Sequence, residues 1–175
     1  GNHFEMFREE ERALEYYREA LERDPGDVRT NAAMGLYKLK QGLYDEALEY
    51  IDRALERYGD FGKARYYKGM AHYRKGELDL AEKHLNRATY DITYYAPGHF
   101  ELAQMTAADG RLERALEHID RSINGNGHNV QAYAVKALVL NRMGRHDEAL
   151  AVAETAQRKD PLDFLSYTER VHAIK

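Results

Sequence analysis

Eight histidines and thirty aspartates and glutamates are the side chains of this 175-residue chain best suited to metal or acid–base chemistry. His84 and His118 lie 34 residues apart, one period of the repeat described below, so they hold equivalent places in neighbouring units. Packed helices stand about 8–10 Å apart, too far for two such imidazoles to share a zinc ion at about 2.0–2.1 Å each. His72 reads as a packed helix residue. Carboxylate runs such as Glu9-Glu10-Glu11 suit solvated helix faces and helix starts, where the dipole favours negative charge. A phosphate-binding glycine loop, a GxSxG elbow, an HExxH pair and an EF-hand loop are all absent from the sequence. With no cysteine there is also no thiolate ligand, disulfide or cysteine nucleophile. The expectation is a non-enzyme with no catalytic residues, no metal and no cofactor.

What remains is a surface for contact. Fourteen tyrosines against five phenylalanines and no tryptophan give the chain an unusual aromatic bias, concentrated in its middle. Hydrophobic residues at 43% place it outside the disordered class. A formal net charge of −4 offers no basic footprint for nucleic acid. No apolar run reaches the ~18 residues of a membrane span, and no signal peptide opens the sequence. Partners are therefore expected to be protein or peptide, with no nucleic acid and no membrane, in a cytoplasmic setting.

The elements that position these side chains come from an internal repeat of 34 residues. Small residues form three ladders at that interval: Gly1, Gly35, Gly69, Ala103, Ala137 and Val171; Ala13, Ala47, Ala81, Ala115 and Ala149; Ala20, Ala54, Ala88, Ser122 and Ala156. A fourth ladder, Gly42, Gly76, Gly110 and Gly144, sits among polar residues, where a helix ends in a left-handed residue. Apolar residues between the ladders recur at three and four, as in Leu48, Ile51, Ala54 and Leu55. Each unit is thus two antiparallel helices whose backbones approach closely at the small residues. The predicted class is all-α, an α-α superhelix.

These residues resemble the tetratricopeptide repeat (TPR), with its small residue at position 8, Ala at 20 and 27, and Pro at 32. Full repeats fall on 28–61, 62–95, 96–129 and 130–163, with a partial repeat over 1–27 and a terminal helix over 164–175, in one solenoid domain. Gly1 falls at position 8, so the chain is expected to open partway through a first helix and to be a piece of a longer protein. Position 4, usually Trp in the family, is Asn31, Arg65, His99, Tyr133 and Tyr167. The Pro position becomes Gly59, Thr93 and Gly127 in the middle copies, so those turns are expected to deviate.

The resemblance implies a concave groove lined from positions 2, 5, 6, 9, 12 and 13 of each first helix. On repeat 62–95 these are Lys63, Tyr66, Tyr67, Met70, Tyr73 and Arg74; the next copy adds Phe100 and Gln104 among others. Tyr, Met and Arg are enriched where chains bind one another. Two readings stay open: a partner surface rimmed by Lys63 and Arg74, or tyrosines that seal neighbouring helices together. The pattern by which some family members clamp acidic chaperone tails does not match, since Ala32, Leu36, Tyr67, Pro97 and Glu101 occupy its places in one register.

Two inter-repeat segments stand out. In residues 89–98, Pro97 is expected to end any helix before it and to open the next. Residues 124–129 read as an exposed, flexible turn rich in residues tolerant of positive φ. Shorter strings, residues 87–90 and 116–122 among them, are similar to repeat segments of large bacterial proteins that carry a mutarotase-like domain associated with carbohydrate metabolism. The functional expectation is a scaffold that binds a peptide or protein segment in its groove. The alternative is a spacer or dock for a carbohydrate-active domain of the same protein. Self-association through uncapped ends is a further possibility.

Overall fold

A computed structural model describes residues 2–160, with side chains from residue 11 onward. Every regular element among them is an α-helix: α1 (Asn2–Arg23), α2 (Val28–Lys40), α3 (Tyr44–Arg57), α4 (Gly62–Arg74), α5 (Leu78–Ala88), α6 (Ile92–Ala108), α7 (Leu112–Gly125), α8 (Val130–Arg142) and α9 (His146–Lys159). α1–α5 form one compact unit and α6–α9 a second, divided between Ala88 and Thr89. The terminal helix expected over 164–175, and Pro161, lie outside the described residues.

Each helix pair turns on a glycine in the left-handed region. Gly42, Gly76, Gly110 and Gly144 have φ of 77°, 78°, 78° and 75°. No other described residue has positive φ. Around each glycine the backbone returns in a Schellman pattern: Leu43 N–H donates to Lys38 O at 3.0 Å and Glu77 N–H to His72 O at 2.9 Å. The same bond joins Arg111 to Thr106 and Arg145 to Leu140.

The small-residue ladders lie where the two helices of a pair cross. Ala47, Ala54, Ala81, Ala88, Ala115, Ala149 and Ala156 are 0% exposed. Space at the crossing is so tight that a Cβ on Gly35 would stand 2.5 Å from Ile51 Cγ1, and one on Gly69 2.6 Å from Leu85 Cγ. In the first unit Ala32, Ala47, Ile51, Ala54 and Ala64 then form one buried cluster, with Val28, Leu39, Leu55, Phe61 and Tyr67 packed around it. The second unit repeats the plan with Ala103, Ile119 and Ala132, and again with Ala107, Ala115 and Val139.

Successive pairs are fastened by a recurring ion pair sixteen residues apart. Lys68 Nζ meets Asp52 at 2.5 Å and Lys136 Nζ meets Asp120 at 2.6 Å, each carboxylate being about half exposed. Such pairs contribute only about 0.2–1 kcal/mol each. The apolar crossings dominate.

Three expectations are corrected. The partial repeat over 1–27 does not hold the end of one helix, a turn and a second helix; α1 runs unbroken from Asn2 to Arg23. Arg8 occupies the ladder place of Gly42 and Gly76, and without glycine there the left-handed corner is disfavoured by roughly 1–2 kcal/mol. Pro97 does not end a helix; it lies inside α6, which begins at Ile92. The start is set by Asp91, whose Oδ1 accepts the Thr93 N–H at 2.9 Å. Pro97 is thus only the sixth helical residue, so the helical bond its ring removes is the one to the Thr93 carbonyl. Nor are Asn124 and Gly125 part of a loop, since both complete α7. Gly125 is present for closeness, not for positive φ: a Cβ there would stand 2.9 Å from Tyr95 Cδ1 and 3.1 Å from Ala96 Cβ.

Two glycine substitutions separate the two roles. Gly110→Ala meets no atom within 4 Å and suffers only from φ of 78°, so a loss of about 1 kcal/mol is expected. Gly69→Ala presses on the Leu85 side chain and its backbone N at 3.0 Å, and a larger loss of ~1–3 kcal/mol is expected. Urea unfolding of the two variants beside the parent chain measures both, and Gly110→Asn should recover part of the first.

Candidate functional site

The face of α4 singled out by the sequence is present as one surface. Lys63, Tyr66, Tyr67, Met70, Tyr73 and Arg74 recur at three and four along the helix, so they share one side of it. Its other side, Ala64, Gly69, Ala71 and His72, is buried in the first unit. Five of the six are half-buried and Arg74 is exposed. Tyr66 and Tyr67 meet edge to face with ring centroids 6.0 Å apart. Tyr67 also packs on the cluster of Ala32, Ala47, Ile51, Ala54 and Ala64. It is therefore partly a structural residue.

Among the described residues of this unit lie two clefts. The smaller, of about 230 Å³, is bounded by Ala13, Leu14 and Tyr17 of α1, Ala33, Leu36, Tyr37 and Lys40 of α2, and Lys63. The larger, of about 500 Å³, lies between Leu39, Lys40, Gln41, Gly42, Tyr44, Met70 and Arg74. Lys40 belongs to both. No carboxylate stands among the described residues that line either cleft. Nearby lysines are neutralised instead: Lys38 pairs with Glu46 at 2.6 Å and Lys75 with Asp45 at 2.7 Å. Both lysines are held above the usual lysine range, first by the hydrogen bonds to those carboxylates.

Phe100 and Gln104 lie in the second unit, on α6. Phe100 packs on the buried cluster of Ala103, Ile119 and Ala132, while Gln104 is half-buried. At the end of the same helix Arg142 Nη1 donates to the Ala107 carbonyl at 2.6 Å, beside the Gly110 N–H that the same oxygen accepts at 3.1 Å.

In three of the four repeats over the described residues, position 4 is a fastening point. Asn31 Nδ2 donates to Pro25 O at 2.9 Å, Arg65 Nε to Gly59 O at 2.8 Å and the Tyr133 hydroxyl to Gly127 O at 3.1 Å. Each bond reaches back six residues to the preceding turn. His99 is the exception because α6 has already begun at that point. It instead joins His118 of α7, Nδ1 to Nδ1 at 3.0 Å, one imidazole donating and the other accepting. The 19-residue spacing also links Arg65 Nη1 to His84 Nδ1 at 3.1 Å. His72 stacks on His84 with centroids 5.5 Å apart and shares a short hydrogen bond with Glu77. That bond, followed by the one from Lys75, holds the Glu77 carboxyl below the usual range. These pairs were legible only by comparing positions 4 and 23 of one repeat, rather than the same position of two. No group of three His, Asp or Glu able to hold a metal occurs among the described residues.

Burial sets the charge of the pairs. Desolvation, then the neighbouring Lys68, Arg65 and His72, pushes His84 down from 6.5 to about 4. Desolvation, then His118 and Arg121, does the same to His99.

The 34-residue register, paired helices and glycine corners lead to a family, and the comparison with known proteins agrees. The tetratricopeptide repeat model matches residues 32–97 and again 100–164. The chain belongs to the tetratricopeptide repeat family, all-α proteins of the α-α superhelix class whose repeats serve as scaffolds for protein–protein interaction. No curated protein matches it in sequence. Among solved structures, MamA is 26% identical, with 83% of this chain covering 85% of that one at a TM-score of 0.75. YrrB, described as a TPR protein with an unusual peptide-binding site, shares the fold at 18% identity, 90% and 81% coverage and a TM-score of 0.74. TTC0263 of Thermus thermophilus, a thermophilic TPR protein, does so at 23% identity, 92% and 88% coverage and 0.71. No helix among the described residues is long and apolar enough to cross a membrane.

The histidine pairs give a pH dependence of known sign. His84 and His99 are neutral in the folded chain down to about pH 4, whereas in the unfolded chain they titrate near 6.5. Between those values the unfolded state binds more protons, so stability falls on acidification and rises with pH. Denaturant midpoints at pH 7 and pH 5 should show the loss, and His99→Gln, which keeps an amide donor towards His118, should make the slope shallower.

Proposed function

We propose that this chain is a non-catalytic scaffold that binds a peptide or protein segment across the Tyr/Met face of α4. The residues assigned to contact are Lys63, Tyr66, Met70, Tyr73 and Arg74, with Tyr67 shared between contact and packing and with Phe100 and Gln104 as a separate set on α6. The observation that carries the reading is the setting of α4. Its buried side is made of alanine, glycine and histidine, while its other side offers three tyrosines, with Lys63 bordering the smaller cleft and Met70 and Arg74 the larger. Tyrosine and methionine supply contact area with a polar or adaptable end, which suits recognition of another chain. Arg74 and Lys63 can add hydrogen bonds to carbonyls or carboxylates of the segment. The peptide-binding site of YrrB, which shares this fold, supports a peptide as the partner.

The test is affinity capture from source-cell lysate on the immobilised chain and on a Tyr66→Ala/Tyr73→Ala variant. Tyr67 is left intact because it packs on the first unit's core. A partner held by the parent chain should bind the variant at least tenfold more weakly at unchanged helicity. Equal retention by both would remove the tyrosine face from the interface.

A further inference from the structure

Two asparagines of this chain are followed by glycine, in the adjoining pairs Asn124-Gly125 and Asn126-Gly127. Such a pair holds its own reactants. The side-chain amide carbon is an electrophile within reach of the next backbone nitrogen, and glycine has no Cβ to shield that nitrogen. By sequence the two pairs are alike, but the fold treats them differently.

Asn124 and Gly125 complete α7, where the N–H of residue 125 belongs to the helical ladder. Gly125 is also pressed against α6, since a Cβ there would stand 2.9 Å from Tyr95 Cδ1 and 3.1 Å from Ala96 Cβ. Turning its backbone toward the Asn124 side chain would break that contact. Asn126, by contrast, is the exposed C-cap of α7, at φ −148° and ψ 85°, outside the helical region. The Gly127 N–H donates no hydrogen bond to a described residue. The His128 N–H donates to Asn126 Oδ1 at 3.2 Å, which folds the side-chain carbonyl back over the Gly127 backbone. That donor sits at the oxygen on which negative charge grows when the carbonyl is attacked.

Neither conformation nor packing calls for glycine at 127. Its φ is not positive, and a Cβ would make ordinary contacts at 3.6 Å to Ile123 O and to the Tyr133 hydroxyl. What the missing side chain leaves open is access to the nitrogen.

We propose that Asn126 is a self-modification site, converted through a cyclic imide to isoaspartate, and that this change loosens the α7–α8 turn. The Gly127 nitrogen gives up its proton to water and bonds to Asn126 Cγ; the Cγ–Nδ2 bond breaks and ammonia leaves. Water then opens the ring. Cleavage of the Cγ–N bond gives aspartate, and cleavage at the α-carbonyl gives isoaspartate, whose main chain runs through Cβ and is one atom longer. Both products place a carboxylate at the C-terminus of α7, where the helix dipole opposes it. The longer chain of isoaspartate also shifts the Gly127 carbonyl, which accepts the Tyr133 hydroxyl at 3.1 Å.

The test incubates the folded 175-residue chain in mildly alkaline buffer and follows tryptic peptide 122–136, which contains both pairs, by mass spectrometry. Electron-transfer fragmentation marks isoaspartate and locates it. Asn126 should convert at least tenfold faster than Asn124, and in denaturing urea the two rates should come together. Gly127→Ala should slow Asn126 at least tenfold without moving the urea midpoint. Equal rates at the two pairs in the folded chain, no conversion at Asn126, or an undiminished rate in Gly127→Ala overturns the site. The comparison of folded and urea-treated chain needs no variant, so a misfolded Gly127→Ala would not shelter the proposal. The charge-shifted fraction of aged protein, isolated by ion exchange, should unfold at lower urea than Asn126→Asp, which adds the charge without the extra atom. Equal midpoints would overturn the loosening of the turn.

Discussion

Close approach of two helical backbones is the constraint from which the rest of this structure follows. At Gly35 and Gly69 there is no room for a methyl group, because the side chains of Ile51 and Leu85 already occupy the space. Larger residues at the crossing would spread the pair and open the alanine ladders to water. Once the pair is closed, its length and hand dictate where the corner must fall, and only a glycine in the left-handed region makes that corner within two residues. The apolar clusters, the turn fastenings and the outward-facing tyrosines are then placed by register.

Residues with polar atoms are fitted around that packing rather than driving it. Ser122 takes the place of an alanine in the third ladder, and its hydroxyl donates to the Ala96 carbonyl at 2.9 Å. Thr106, also buried, donates to Leu102 O at 2.6 Å. The imidazoles of His99 and His118 satisfy one another. Each is a buried polar group whose desolvation cost is offset by a specific partner. Burial of this kind is why His84 and His99 carry depressed basicity.

The helical repeat was legible because its signal is arithmetic: small residues at a constant interval cannot arise from composition. The corners were legible for the same reason, since glycine has one overriding use there. Sequence misleads where one residue carries two competing signals. Pro97 both terminates and begins helices, and the deciding residue is Asp91, whose capping carboxylate starts α6 six residues earlier. Gly125 suggests freedom of φ, whereas its value is the absence of a side chain beside Tyr95. The tyrosine face was legible as a set, but the division of labour within it was not. That Tyr67 leans on the core depends on a rotamer and on the neighbouring α2 and α3.

The four glycine corners have a use for the protein engineer and for evolution alike. At Gly76, Gly110 and Gly144 no atom lies within 4 Å of where a side chain would start, so each of these corners opens onto empty space. Its backbone bonds are local, reaching back only five residues, as from Glu77 to His72. Chain inserted just beyond such a corner would leave both the crossing and the Schellman bonds of the helix before it in place, and loop-closure entropy grows only slowly with length. The corners are therefore natural ports, places where an epitope, a fluorophore or a whole foreign domain can be grafted while the alanine ladders continue to hold the repeat together.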